Sequence, residues 1–183
     1  MGESGEAIMN NIYADLMKLS KETLAQKLVR TSWNEEFGCF NKTGFEENIW
    51  PEIAPYARYI LFFDIDYLKK INDQYDSYKP VNALIKRGLS VVREEDGVAA
   101  QVNSGDEILV CVLELPNDHR DPDDRRKALD PEGLKARLVE GFASVGMSAT
   151  FAIVPVKSWD LAENLEPAIA LVKALKKERG ITR

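Results

Sequence analysis

The stretch FFDIDYLKKIND, residues 62–73, decides the fold, because a strand-forming apolar run stops in it at an acidic residue. The run Tyr59–Phe63 holds only aromatic and aliphatic side chains, which is typical of a central strand covered on both faces. Asp64 and Asp66 follow it directly. A carboxylate at the end of a buried strand faces a low dielectric and needs a counter-charge. The stretch therefore predicts a central strand with a charged site at its end.

A second acidic pair lies at the turn of a predicted hairpin. Val98–Val102 and Ile108–Leu113 are β-rich runs joined by the segment NSGDE. Its Ser-Gly-Asp turn signal ends at Asp106 and is followed by Glu107. If this hairpin lies beside the first strand, the acidic sites meet at one edge of the sheet. Two carboxylates and main-chain carbonyls would then form an oxygen site for Mg²⁺. The residues alone also allow a second interpretation, in which these acids are ordinary strand-end and turn residues.

The remaining periodicity places helices and one further strand around these elements. An amphipathic helical spacing begins at Pro80, whose fixed φ suits a first helical turn. The other predicted elements are a short helix over Phe45–Ile53, a helix over Leu134–Phe142, a strand over Met147–Val154 and a helix over Leu161–Lys177. This order predicts an α+β domain of palm or ferredoxin-like type, with a central mostly antiparallel sheet flanked by helices.

The chain divides into an N-terminal segment, residues 1–31, and a domain over residues 32–183. Apolar residues recur at close to helical spacing over residues 6–30. This predicted helix either packs on the domain or serves as a connector or dimerisation stalk, and the sequence leaves both interpretations open. We find no linker long enough to divide the domain itself.

Composition excludes several classes of protein. The 183 residues carry a formal net charge of −6, which argues against a nucleic-acid partner. No apolar run approaches the roughly 18 residues that span a bilayer, so we expect no membrane insertion and a cytoplasmic location. His119 is the only histidine, and Cys39 and Cys111 form no metal-binding motif, so we expect no zinc site. Any chemistry must therefore use carboxylates, lysines and arginines, with or without a metal.

Residues 62–73 and 104–108 together resemble the GGDEF family of nucleotidyl cyclases. That family carries D-x-D-x-F-K-x-I-N-D ahead of a GG[DE]EF hairpin, and this sequence keeps most of both motifs, with Ser104 in place of the first glycine. NEEFGCFNKTGF upstream and ALVKALKKERG near the end are similar to two further motifs of the family, in the same order. The palm domains of CRISPR-type oligoadenylate synthases share a related hairpin, but the D-x-D strand and the K-x-I-N-D stretch favour the GGDEF family. The resemblance covers residues 32–183.

The resemblance implies a metal site and a catalytic set of carboxylates. Asp64 and Asp106 would bind Mg²⁺ or Mn²⁺ together with the main-chain carbonyl of Ile65. Glu107 would support the attacking hydroxyl or a second metal, and it completes the catalytic set with the two aspartates. Metal ions can activate a hydroxyl and neutralise developing charge, so this chemistry needs no histidine.

The resemblance also implies four nucleotide-binding positions. Lys69 and Arg179 would contact the triphosphate, and Asn72 would contact the nucleobase. The family has a guanine-binding aspartate where this sequence has Val81, which cannot accept a hydrogen bond. Guanine would then bury two donors without partners, whereas adenine could pair with the Asn72 amide. The implied base preference is therefore relaxed or directed away from guanine.

The family's reaction joins two nucleoside triphosphates (NTPs), held face to face in a dimer, into a cyclic dinucleotide. The implied partners are NTPs, a second copy of the chain in a transient or stable homodimer, and an upstream sensor domain or signalling partner. The retained carboxylates and Lys69 favour a divergent cyclase that uses Mg-NTP. Ser104 and Val81 favour the alternative, a catalytically silent GGDEF-like module that regulates by binding a nucleotide or a protein.

Overall fold

The computed structural model describes residues 30–75, 77–93, 96–103, 106–114 and 130–181. The strands within these ranges are β1 at Trp33–Asn34, β2 at Cys39–Phe40, β3 at Ala57–Ile65, β4 at Gly97–Gln101, β5 at Glu107–Leu113 and β6 at Ala149–Pro155. These six described strands form one sheet in the spatial order β1-β2-β4-β5-β3-β6. Every neighbouring pair is antiparallel except β2 with β4. The predicted mostly antiparallel sheet is therefore confirmed.

Helices flank this sheet, which confirms the predicted α+β class. They are α1 at Lys42–Gly44, a π-helical turn at Phe45–Ile49, α2 at Trp50–Ile53, α3 at Leu68–Asn72, α4 at Lys79–Leu89, α5 at Pro131–Ser144 and α6 at Leu161–Glu178. Aspartate caps begin the two longest described helices: Asp130 accepts a hydrogen bond from the Gly133 N–H in α5, and Asp160 accepts one from the Ala162 N–H in α6. Beyond the end of α6, Gly180 adopts the left-handed conformation with a φ of 67°.

β3 is covered on both faces, as its continuous apolar run predicts. Ile60 and Phe62 belong to one apolar cluster, which includes residues of α2 and α6. Leu61 and Phe63 belong to a second cluster, which includes residues of α4 and α5. Because side chains alternate along a strand, one run supplies both layers. Burying each such side chain stabilises the fold by roughly 1.5–3 kcal/mol, and this holds the end of β3 in a fixed position.

Two local features differ from the sequence expectation. β3 continues beyond the apolar run through Asp64 and Ile65, because both residues pair with β6 and Asp64 also pairs with β5. Strands β1 and β2 lie in a stretch whose turn-forming composition predicts no strand. They form because they pair with each other and because Phe40 pairs with Ala100 of β4.

Several predictions concern residues outside the described ranges. These are the helix over residues 6–30, the hairpin-turn residues Ser104 and Gly105, and the loop that contains His119. The division of the chain at residue 31 and the role of its N-terminal segment therefore stay predictions. In the part of the chain that the structure describes, no helix combines the length and apolar character that crossing a membrane requires.

Candidate active site

The sheet brings the two acidic sites together at one end of β3. β5 lies beside β3, so Asp64 pairs with Glu107, and the Ile65 N–H donates to the Asp106 carbonyl at 3.1 Å. On the other side β6 places Thr150 opposite Asp64. The predicted neighbourhood of the first strand and the hairpin is confirmed, and both acidic sites lie at the same edge of the sheet.

A cavity of about 930 Å³ opens at this edge, a size suited to a small-molecule ligand. Four residues that the sequence predicts for the site line it: Ile65, Lys69, Asn72 and Asp106. Side chains that the sequence did not single out complete the wall, among them Tyr67, Lys70, Tyr78, Asn82 and Lys176. The lining of the cavity therefore combines acidic, cationic and amide side chains.

Asp64 is buried and is paired with a lysine from the far end of the chain. Its side chain is 7% exposed, and the Lys176 ammonium lies 2.7 Å from its Oδ1 atom. The same ammonium donates to the Ile65 carbonyl oxygen at 3.0 Å. Burial raises the pKa of Asp64 above its ordinary value, Lys176 lowers it, and the nearby Asp106 and Glu107 raise it further. The net rise indicates that one ammonium does not fully compensate this carboxylate.

Asp66 lies two residues further along and has a much fuller set of partners. Its side chain is fully buried, and it accepts hydrogen bonds from Ser148 Oγ at 3.0 Å and Thr150 Oγ1 at 2.7 Å. The Arg179 guanidinium lies 3.3 Å from Asp66 Oδ2 and donates to Thr150 Oγ1 at 2.7 Å. Asp66 thus ties the end of β3 to β6 and to the end of α6.

Four sequence-predicted site residues do not line the described cavity: Asp64, Arg179, Glu107 and Val81. The Arg179 side chain is half-exposed and contacts Asp66. Glu107 is 6% exposed, and Asn103 Nδ2 donates to its Oε2 atom. Val81 is 1% exposed within the apolar cluster on the α4 face, and the next residue, Asn82, reaches the cavity. Their catalytic and nucleotide-binding roles stay predictions.

Asn72 carries an unsatisfied acceptor at the cavity. Its Oδ1 atom is buried, and no group among the described residues donates a hydrogen bond to it. A buried acceptor without a partner costs about 1–3 kcal/mol, and such atoms in a native fold call for a ligand, a water or a functional reason. Because Asn72 lines the cavity, a ligand with a suitably placed N–H group would satisfy this oxygen.

The donor set at the edge fits a hard divalent cation. Asp64 and Asp106 supply carboxylate oxygens and Ile65 supplies a carbonyl oxygen, which are the ligand types that Mg²⁺ prefers. In this structure the Lys176 ammonium lies between Asp64 Oδ1 and the Ile65 carbonyl oxygen and contacts both. No group of three or more His, Cys, Asp or Glu side chains in the described ranges could hold a metal. A metal here would therefore complete its coordination with water and phosphate oxygens.

Sequence reasoning missed the contacts of Lys176 and the left-handed conformation of Tyr67. Tyr67 has a φ of 55°, a left-handed conformation that strains a residue with a Cβ atom and often marks a functional site. One sequence feature could have drawn attention to Lys176. It lies in ALVKALKKERG, the stretch that is similar to the family's final motif, close to the end of α6 at Glu178.

Comparison with known proteins identifies the fold. No protein-family model and no characterised protein matches the sequence. The diguanylate cyclase SiaD from Pseudomonas aeruginosa, solved with its activator SiaC, has a TM-score of 0.62 and 17% identity, over 94% of this chain and 67% of that one. The coiled coil and GGDEF domain of DgcB from Caulobacter crescentus, solved with c-di-GMP, has a TM-score of 0.58 and 16% identity, over 99% and 98% of the two chains. The FimX GGDEF domain from Pseudomonas aeruginosa has a TM-score of 0.58 at 9% identity, over 80% and 94%.

This chain has the GGDEF fold. At these identities the likeness shows the fold alone. The expected palm-like architecture is confirmed, with the edge of β3 and β5 as its acidic end. What this GGDEF-fold domain binds has to be inferred from its own cavity.

Proposed function

We propose that the chain is a divergent, metal-dependent nucleotidyl cyclase, which binds Mg-NTP in the edge cavity and forms a cyclic dinucleotide. The observation that carries this proposal is the convergence of Asp106, Lys69 and the unsatisfied Asn72 oxygen on one cavity of about 930 Å³. Acidic groups for a metal, cations for phosphates and an amide for a base are the three components that an NTP site requires. The GGDEF fold of the chain supports the same assignment.

The phosphates would lie against the lysines of the cavity. Three lysines line it: Lys69, Lys70 and Lys176. The first two are exposed on α3, the short helix that follows β3. Charge-assisted hydrogen bonds from ammonium groups to phosphate oxygens are stronger than neutral ones. Arg179 would have to exchange its contact with Asp66 for one with a phosphate oxygen in order to bind the triphosphate.

The base would be read by the Asn72 amide, with a relaxed or non-guanine preference. The unsatisfied Asn72 Oδ1 can accept from the exocyclic amine of adenine, while Nδ2 donates to its N1 atom. Guanine presents donors at both N1 and its amine, and Val81, which stands at the position of the family's aspartate, lies in the apolar cluster and outside the cavity lining. We therefore expect ATP to bind at least as tightly as GTP.

The reaction would join two such sites in a transient or stable homodimer. The 3′-hydroxyl of one nucleotide attacks the α-phosphate of the other, and pyrophosphate leaves as the new ester bond forms. Glu107, the residue after Asp106, would support the attacking hydroxyl. When bound, Mg²⁺ (or Mn²⁺) would neutralise the developing negative charge and favour deprotonation of the hydroxyl.

The direct test is incubation of the protein with Mg²⁺ and each NTP, followed by mass analysis of the products. We expect a cyclic dinucleotide from wild type and none from Asp106→Asn, which removes a ligand charge. Glu140→Gln is the matched control, because it removes an exposed carboxylate on α5 outside the cavity lining. Wild type that forms no cyclic product with any NTP would contradict the cyclase proposal.

The second candidate is a catalytically silent module that binds a nucleotide or a protein partner and regulates. The observation that favours it is the engagement of Lys176 with Asp64 and of Arg179 with Asp66, because both cations are held by the fold itself. An upstream sensor domain or a signalling partner would then supply the input or receive the output. Nucleotide binding without product formation would favour this candidate.

A further inference from the structure

The Lys176 ammonium occupies a position that is defined by oxygen atoms on several sides. It lies 2.7 Å from Asp64 Oδ1, 3.0 Å from the Ile65 carbonyl oxygen and 3.7 Å from Asp66 Oδ1. The side chain is only 12% exposed, so its charge is compensated by these groups and not by bulk water. The lysine also lines the edge cavity, which gives it an alternative place to go.

We propose that Lys176 is an internal cation that holds the divalent-metal position between Asp64 and Ile65 and must leave before a metal can bind there. The proposal rests on the proposed function in one respect, because it takes these two residues as metal ligands. It goes beyond that function by making metal binding an exchange of one cation for another.

The geometry makes the two cations mutually exclusive. Mg²⁺ would contact Asp64 and the Ile65 carbonyl at about 2.0–2.1 Å, and the ammonium already touches both atoms. In the metal-free protein the ammonium meets part of the charge of the buried Asp64 carboxylate, and Asp66 and the Ile65 carbonyl meet the charge of the ammonium in turn. Lys176 therefore stabilises the metal-free protein and weakens its apparent metal affinity.

Displacement has a second consequence for the nucleotide. A lysine that leaves Asp64 stays within the same cavity, where the triphosphate would offer it new oxygen acceptors. Metal and nucleotide would then each favour the binding of the other by the same factor. Neither ligand alone provides both a cation for Asp64 and an anion for Lys176.

Titration with Mn²⁺ alone, without nucleotide, tests the exchange. The variant Lys176→Met keeps the length and apolar stem of the side chain but removes the charge, and Lys176→Gln is a second, polar replacement. Lys177→Met is the matched control, because Lys177 is an exposed neighbour on the same turn of α6 and does not line the cavity. Isothermal titration gives the affinity, and the rise in melting temperature with Mn²⁺ gives an independent measure in protein that is shown to be folded.

We expect the Lys176 variants to bind Mn²⁺ at least about tenfold more tightly than wild type, which corresponds to a lysine that holds the site about nine-tenths of the time. The control should match wild type. Equal Mn²⁺ affinity in wild type and both Lys176 variants would overturn the exchange while leaving the metal site intact. If no folded variant binds Mn²⁺, the metal site of the proposed function fails, and the exchange fails with it.

Discussion

Asp64 and Asp66 stand two residues apart in one motif, yet the fold treats them in opposite ways. Asp66 receives two hydroxyl donors and a guanidinium, with an ammonium nearby, so its charge is met from several sides. Asp64 is also buried, with a side chain 7% exposed, but among the described residues it pairs with a single ammonium, and burial raises its pKa. Burial is therefore common to the two carboxylates, and the number of donors that meet each one is what differs between them.

The largest effect should follow from removing the fully compensated carboxylate. Asp66→Ala removes a carboxylate partner from Arg179 and Lys176. It also removes the hydrogen bond that Thr150 of β6 donates to Asp66. We expect the free energy of unfolding to fall by about 3–5 kcal/mol, measured by urea denaturation. A loss below about 1 kcal/mol, the range of a surface ion pair, would show that Asp66 does not bear the structural role assigned to it.

Asp64→Asn should instead abolish Mn²⁺ binding while leaving stability at neutral pH equal or higher. A carboxyl group whose pKa is raised on folding stabilises the protein below its unfolded value of 3.8, and this contribution is lost as pH rises through the raised folded value. The Asp64→Asn variant has no ionisable group at this position, so its unfolding free energy does not fall for this reason as pH rises. The difference in unfolding free energy, variant minus wild type, should therefore grow as pH rises above 3.8.

Urea denaturation of both proteins across this pH range measures the difference. A difference that shrinks with rising pH would mean that the pKa of Asp64 is lowered in the folded protein. Retained Mn²⁺ affinity in Asp64→Asn would remove this residue from the proposed metal site.

Asn72→Ala should change binding more than folding. Its Oδ1 atom has no donor among the described residues, so the melting temperature should not fall. The loss of one hydrogen bond to the base should weaken ATP binding roughly twofold to tenfold, measured by calorimetric titration with Mg²⁺ present. A large fall in stability with unchanged ATP affinity would show that Asn72 is a structural residue.

Arg179→Ala should cause a much smaller loss of stability than Asp66→Ala. The guanidinium reaches Asp66, but its side chain is 49% exposed, so water screens the pair. We expect the unfolding free energy to fall by about 1 kcal/mol or less. A drop as large as that of Asp66→Ala would mean that Arg179 is the main partner of Asp66 and not one of several.

Much of this site could be predicted from the sequence because it is encoded locally. An apolar run with an acidic end predicts where β3 ends, and a hairpin signal predicts the position of Asp106. Lys176 and Arg179 could not be placed in this way, since they reach Asp64 and Asp66 from a helix more than a hundred residues further along. The packing of α6 on the sheet determines which cation pairs with which aspartate. Local sequence patterns do not predict that packing.

The central claim is that the edge cavity binds Mg-NTP through Asp106 and reads the base through Asn72. Calorimetric titration of wild type with ATP and with GTP, both with Mg²⁺, tests it most directly, with Asp106→Asn beside it. We expect ATP to bind at least as tightly as GTP, and the variant to lose binding of both. Wild type that binds neither nucleotide would contradict the claim, and a preference for GTP of more than about tenfold would show that a residue other than Asn72 reads the base.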